Sequence, residues 1–430
     1  MARRFRLLAA LLAVPLALAS CKINTINSFP TTYAQVRFIN VMADTLAVDV
    51  SEGGNKVWPG VAFQSGTGYL DFLPSNVSFG VALAGTTTTL VSVGYSLFGN
   101  QPYSLVAYGY PSVPSLLMSA DDTIAPGNGN FKLRVMNVAA GVGAVDAYLT
   151  APGADIANAA PNFTAVVYGV STISLQFPAG QYQLRIVPYA TKIVIYDSGP
   201  LTLADQRSAY AIVYTKKSAL NVNVLLADET GNHAITPADS VQARVKAVHA
   251  GPQTGAVNVL ANGTAIVPGE IYPSASAYVG VTAGANVLAY EDASAPGAIL
   301  ASATKTTAPA TDSTVFLTGF PGALKAVTLD DDNLPASTGQ PRVRFVNASP
   351  DAPPLDVLVG TNKVVSALAS PTASAYNQID AGTYTVVFNN AATGTALLTV
   401  PGVVLVLGQT TTFFVVGAVG GLAPLITVDR

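Results

Sequence analysis

Arg344, Asp351 and Asp356 fall within thirteen positions of the stretch V-R-F-V-N-A-S-P-D-A-P-P-L-D-V-L-V, residues 343–359. Only 10% of the chain is charged, so a base and two carboxylates beside a proline-rich turn stand out. Such a group suits acid/base work or an anion clamp. Acids gather again at Asp121-Asp122, Asp228-Glu229 and Asp330-Asp331-Asp332, each just before a turn-rich stretch. Hard cations take clustered carboxylate and carbonyl oxygens, so these seven residues are the candidate calcium ligands, although EF-hand spacing is absent. Histidine chemistry has less support. The two histidines, His233 and His249, accompany no G-x-S-x-G nucleophile motif. A glycosidase needs two carboxylates facing one cleft, and no such pair is singled out. Trp58, the one tryptophan, is a weak candidate for stacking on sugar. One cysteine allows neither an intramolecular disulfide nor a Cys/His zinc cage within the chain.

The same stretch recurs, and recurrence weighs against catalysis. V-R-F-I-N-V-M-A-D-T-L-A-V-D-V starts at Val36, L-R-V-M-N-V-A-A-G-V-G-A-V-D-A at Leu133, and V-K-A-V-H-A-G-P-Q-T-G-A-V-N-V at Val245. The aligned bases are Arg37, Arg134, Lys246 and Arg344; twelve residues after each stands Asp49, Asp146, Asn258 or Asp356. Three residues after each stands Asn40, Asn137, His249 or Asn347. A base and an acid at this spacing, with a turn between, suit cross-strand pairing in a hairpin, so these eight residues are expected to be structural. A second landmark aligns Gly180, Gly284 and Gly382 with Asn76, which predicts a turn residue at positive φ. The second copy is predicted to carry an insertion near 150–165.

Strand formers, 37 glycines and 28 prolines dominate, and the residues that favour exposed helices are scarce. Leu355, Val357 and Val359 alternate with Asp356 and Leu358 in the period-two pattern of a half-buried strand. Each copy holds roughly seven strand-like runs in about 90–100 residues, the size of an immunoglobulin-like sandwich. The expected fold is all-β: four tandem antiparallel β-sandwiches at 34–122, 131–229, 241–332 and 341–430. Turn-rich linkers join them.

The N-terminus has the parts of a secretory signal. Arg3, Arg4 and Arg6 precede an apolar run from Leu7 to Ala17, and Leu18-Ala19-Ser20-Cys21 follows. This resembles the lipobox of bacterial lipoproteins. The resemblance implies cleavage after residue 20 and a thioether-linked diacylglycerol on Cys21, with residues 21–33 as a tether. Acylation by two or three chains gives stable anchoring. Lys22 in place of aspartate implies the outer membrane of a Gram-negative cell. Loss of three arginines leaves 18 basic against 24 acidic residues, a balance that disfavours nucleic acid as a partner.

R-F-V-N-A-S-P-D-A-P-P-L-D-V-L-V, with the later D-A-G-T-Y-T-V, closely resembles the bacterial domain-of-unknown-function 4397 family. The third unit, which lacks the Asn and Asp, resembles it least. The family implies export and a repeated fold, and no activity. The expectation is an exported, lipid-anchored envelope protein acting as a non-catalytic binding or structural module. It would have no cofactor beyond calcium at the joints, and would meet a cell-surface polymer or envelope protein. The alternative is a polysaccharide-acting enzyme or its accessory carbohydrate-binding subunit.

Overall fold

The computed structural model describes residues 32–43, 45–334 and 339–430. The signal segment, Cys21, most of the tether and Asp44 lie outside the described residues. Each unit is two sheets packed face to face. In unit 1 the first strand is Ala34–Asn40, the second Ala47–Glu52 and the third Asn55–Ala62. Two short strands follow, Ser65–Gly66 and Leu70–Phe72, then the long strands Asn76–Leu83, Thr89–Ser96, Pro102–Tyr110 and Val113–Ala120. The third, second, sixth and seventh strands form one antiparallel sheet in that order. The short strands, the first, the eighth and the ninth form the other. The first and eighth strands run parallel, so this sheet is mixed rather than wholly antiparallel. Units 2, 3 and 4 repeat the plan. Their cores are four separate apolar clusters. Trp58 belongs to the first, packed among Phe38, Phe72 and Phe79 at 5.9–6.1 Å between ring centroids, so it offers no sugar platform.

The first and second strands therefore lie in different sheets, and the expected Arg–Asp hairpin pairs do not form. The repeated acid has a local task instead. Asp49 Oδ1 accepts the Gly60 N–H at 2.7 Å, and Asp146, Asn258 and Asp356 accept Ala165, Gly269 and Ala367 N–H at 2.8, 3.0 and 2.9 Å. Those four donors have φ of 62°, 50°, 65° and 49°. They mark a bulge in the third strand, where register with the second strand shifts. A bulge leaves an N–H without a ladder partner, and the acid supplies one. The repeated Asn reaches the next carbonyl from the opposite sheet: Asn40, Asn137 and Asn347 donate to Val61, Val166 and Leu368 O at 3.0, 2.8 and 3.2 Å. In unit 3, His249 Nε2 bonds Gly255 O at 2.9 Å instead, and burial lowers its pKa.

The glycine landmark also has another cause. Gly284 has φ of 116°, but Gly180 at 159° is almost extended, and neither Gly382 nor Asn76 has positive φ. At Gly382 a Cβ would meet the Tyr384 ring at 3.3 Å. Tyr384 folds back over the glycine and donates to Asp380 O at 3.0 Å. Tyr182 and Asn286 do the same to Pro178 and Thr282 O, both at 2.8 Å. The glycine opens a strand beneath a returning side chain.

The insertion in unit 2 runs from 151 to 162, between strands Val145–Thr150 and Phe163–Val166. The joint expected at 230–240 is not all linker. Ile235–Ala238 is a strand that pairs with Val222–Asp228.

The units associate in twos. Ile39, Val106 and Tyr108 of unit 1 are buried against Met136, Ile212 and Leu225 of unit 2. Val248 and Phe316 of unit 3 face Val346 and Phe414 of unit 4. The contact is made by the outer faces of the first and eighth strands, which explains why those strands are apolar on both faces. The two pairs then meet end to end. Asp312, which opens the eighth strand of unit 3, accepts Ser218 Oγ (2.7 Å) and Ala219 N–H (3.0 Å) from a turn of unit 2. Leu334 packs beside Ala43, Tyr110 and Ala140.

Replacing Asp49 with Ala should cost about 1–2 kcal/mol in denaturant unfolding, through loss of the bulge cap. Hydrogen bonds from Lys56, Gly60 and Gly85 hold the Asp49 pKa down to about 2, below the ordinary 3.8. A depressed folded pKa stabilises fully above the unfolded value and stops doing so as pH falls through the folded one. The Asp49→Asn variant should therefore lose less stability than the parent between pH values of about 4 and 2.

Candidate functional site: two buried ion clusters between units

The four repeated bases are brought together in twos, at the interfaces between paired units. All four are buried, at 0% exposure for Arg37, 9% for Arg134 and 2% for Lys246 and Arg344. Each sits mid-strand on the outer face, surrounded by apolar side chains. A lone charge there would be very costly, so each needs a partner.

Between units 3 and 4 the partners are exchanged. Lys246 of unit 3 donates to Asp429 of unit 4 at 2.5 Å and to Thr427 Oγ1 at 2.9 Å. Arg344 of unit 4 donates to Asp331 of unit 3 at 2.7 Å and to Asp330 O at 3.1 Å. Tyr278 and Thr314 hydroxyls donate to Asp331 Oδ2, both at 2.6 Å, and Thr412 donates to Asp429 Oδ2 at 2.6 Å. The Lys246 ammonium and the Arg344 guanidinium lie over the Tyr278 and Tyr376 rings at 5.2 and 4.8 Å. Burial alone would raise the Asp331 pKa; Arg344 and Lys246 outweigh it and leave the carboxyl below its ordinary value.

Between units 1 and 2 the plan is looser. Arg37 donates to Ser104 Oγ (2.8 Å) and crosses to Asp228 O (2.8 Å) and His233 O (3.3 Å) of unit 2. Its own acid, Asp121, lies 4.0 Å away and accepts from Tyr69 and Tyr210. Arg134 donates to Ala120 O of unit 1 at 2.7 Å and pairs with Glu229. Glu229 also accepts the Asp122 N–H of unit 1 at 2.8 Å. Here burial prevails over Arg134, and the Glu229 pKa is raised.

The acids proposed as calcium ligands are all committed to cations of the chain. Asp121, Glu229 and Asp331 lie in the clusters. Asp122 pairs with Lys132, Asp228 with Arg207, Asp330 with Lys305 and Asp332 with Arg342. Among the described residues no group of three or more His, Cys, Asp or Glu is placed to hold a metal. These residues do not fit a calcium cage. Asp351 caps a loop, accepting Val419 N–H at 2.9 Å and Ser349 Oγ at 3.2 Å. His233 lies edge-on to Tyr69 at 5.0 Å, away from any nucleophile arrangement with His249. The repeated bases are visible in the sequence; of the acids that answer them, Asp121, Glu229 and Asp331 stand among the joint acids, and Asp429 does not. Tyr69, Tyr278 and Tyr376, which cover the cations, stand 32 residues after Arg37, Lys246 and Arg344 in turn, a spacing by which the sequence marks them.

This repeated base, set in an apolar first strand and answered by an acid at the end of a unit, is what the family comparison can be laid upon. The model of the domain of unknown function DUF4397 matches residues 34–148, 243–358 and 342–430. The chain belongs to this DUF4397 family. The first two matches each run from the opening strand of one unit into the second strand of the next. No curated protein matches the chain. Among solved structures, the Bacillus anthracis TIE protein is similar at 9% identity and a TM-score of 0.15, over 66% of this chain and 50% of that one. The chain thus spans half the length of that protein. A family 26 carbohydrate-binding module from Eubacterium rectale Amy13K, solved with maltoheptaose, gives 12% and 0.16, over 47% of this chain and 99% of that one. A streptococcal family 41 carbohydrate-binding module gives 13% and 0.15, over 47% and 98%. At these scores the likenesses carry no argument about function.

Arg344→Ala leaves Asp331 buried without its cation and should destabilise the 3–4 pair by about 3–5 kcal/mol in denaturant unfolding. Replacing both with Met and Leu should cost far less, because no charge is stranded.

Proposed function

We propose that this DUF4397 protein is an exported, lipid-anchored component of the cell envelope whose four units act as one non-catalytic binding or structural module. The observation that carries the reading is the use made of the repeated ionisable side chains. The four bases are buried and hold units together, while Asp49, Asp146, Asn258 and Asp356 cap bulges within their own units, so none of these eight side chains is free to move a proton on a substrate. Anchoring rests on the sequence: the lipobox-like Leu18-Ala19-Ser20-Cys21 and the short stretch to the first strand. Lys22 favours the outer membrane. The partner is a cell-surface polymer or another envelope protein, reached by a scaffold of two stacked pairs rather than by four loosely strung domains.

The test is expression in a Gram-negative host. The parent should sediment with membranes, and Cys21→Ser should move the protein to the soluble fraction. Continued sedimentation of Cys21→Ser would contradict the anchor. Turnover of an envelope polysaccharide by the purified protein would contradict the non-catalytic reading.

A further inference from the structure

A cleft of about 660 Å³ lies where unit 2 meets unit 3. That volume suits a ligand. Its floor is the side of unit 3 at which the two sheets part, between the edge strands Thr264–Glu270 and Val279–Thr282. Unit 2 closes it with Ile193, Val194, Leu220 and Asn221. Unit 4 has the corresponding groove, lined by Asn362, Val364 and Ile379, each 98 residues beyond Thr264, Ile266 and Val281. That groove is smaller, about 300 Å³, and is lined by unit 4 alone apart from Gln340 of the joint. The packing of unit 2 on unit 3 adds a second wall and enlarges a groove of the sandwich into a cleft that stays open to solvent.

One amide in the cleft is open to a ligand. Asn221 is 4% exposed, and its side chain makes no hydrogen bond within the described residues, while its amide still reaches the cleft. A ligand there can take the place of water on that amide. The lining carries a single charged residue, Arg244, and Asp312 neutralises it through bonds from Nε (2.9 Å) and Nη2 (2.7 Å). Gln242, the Thr264 hydroxyl and the Tyr278 ring complete a surface of amide, hydroxyl, aromatic and aliphatic groups with no net charge. Phosphates and carboxylates find nothing to balance them. An added peptide strand is blocked along the Thr264–Glu270 edge, because Pro268 lacks an N–H and the bulge at Gly269 breaks the ladder.

We propose that this cleft binds an uncharged glycan chain, with Asn221 as a direct hydrogen-bonding contact. The inference rests on the non-catalytic reading above and adds a ligand class and a place. The test is calorimetric titration of the full chain without its signal segment, using chitohexaose, cellohexaose and maltohexaose. At least one should bind saturably. Thr264→Trp, an exposed edge position that would fill the cleft, should weaken binding at least tenfold without moving the unfolding midpoint. Asn221→Ala should weaken it several-fold. No binding by any of the three at millimolar concentration would overturn the proposal. So would binding that survives Thr264→Trp, or that is lost in Asn362→Trp instead. Release of reducing ends during the titration would leave the site standing and overturn the non-catalytic reading.

Discussion

The structure depends on putting a positive charge in the middle of an apolar interface. Arg344 lies 2% exposed on a strand whose neighbours are Phe345 and Val346, and it reaches Asp331 of the preceding unit. The attraction between units comes from the apolar side chains around it, each contributing roughly 1.5–3 kcal/mol on burial. The ion pair adds little to that, since desolvation offsets most of its Coulomb energy. What it adds is register. Sliding one unit on the other by a single residue pair would strand two buried charges, at several kcal/mol each. A face of Val, Phe and Ile alone would tolerate many relative positions.

The same logic explains why the bases fall where they do. Lys246 and Arg344 exchange acids, so each unit contributes one base and one acid to the shared cluster. Units 1 and 2 use the same positions, but Arg37 crosses to backbone carbonyls and Arg134 keeps its own Glu229. In both pairs tyrosine hydroxyls donate to the acids, and backbone carbonyls accept from the arginines across the interface. Fixed pairs matter for the cleft between units 2 and 3. That cleft is set by the contacts that join the pairs end to end, Ser218 and Ala219 with Asp312 and Asn333 N–H with Lys217 O.

The strand plan was legible in the sequence because period-two alternation, as in Leu355, Val357 and Val359, reports a sheet with one buried face. The repeats were legible because each unit solves the same local problems with the same residues. What the spacing could not reveal was which acid answers which base. Asp49 stands twelve residues from Arg37, yet it serves a bulge in the other sheet, while Arg37 looks to carbonyls of the next unit. One signal did point to the interface. A base set in an apolar run, as in V-R-F-V-N, cannot face solvent on a strand buried on both sides. The glycine landmark is visible as a spacing, but its cause, the Tyr384 ring lying over Gly382, belongs to side-chain packing that spacing does not report. The cleft could not be foreseen, since Asn221 and Thr264 meet only through the joint between two units.

Trp58 is the only tryptophan and lies in the core of unit 1, so its fluorescence reports that unit alone. Ile186 lies in the core of unit 2, within a separate cluster. Ile186→Ala should cost roughly 2–5 kcal/mol at its own site. If buried ions and apolar faces bind the two units into one cooperative body, the Trp58 transition in denaturant will move to lower concentration in this variant. A Trp58 midpoint unchanged from the parent would contradict the account.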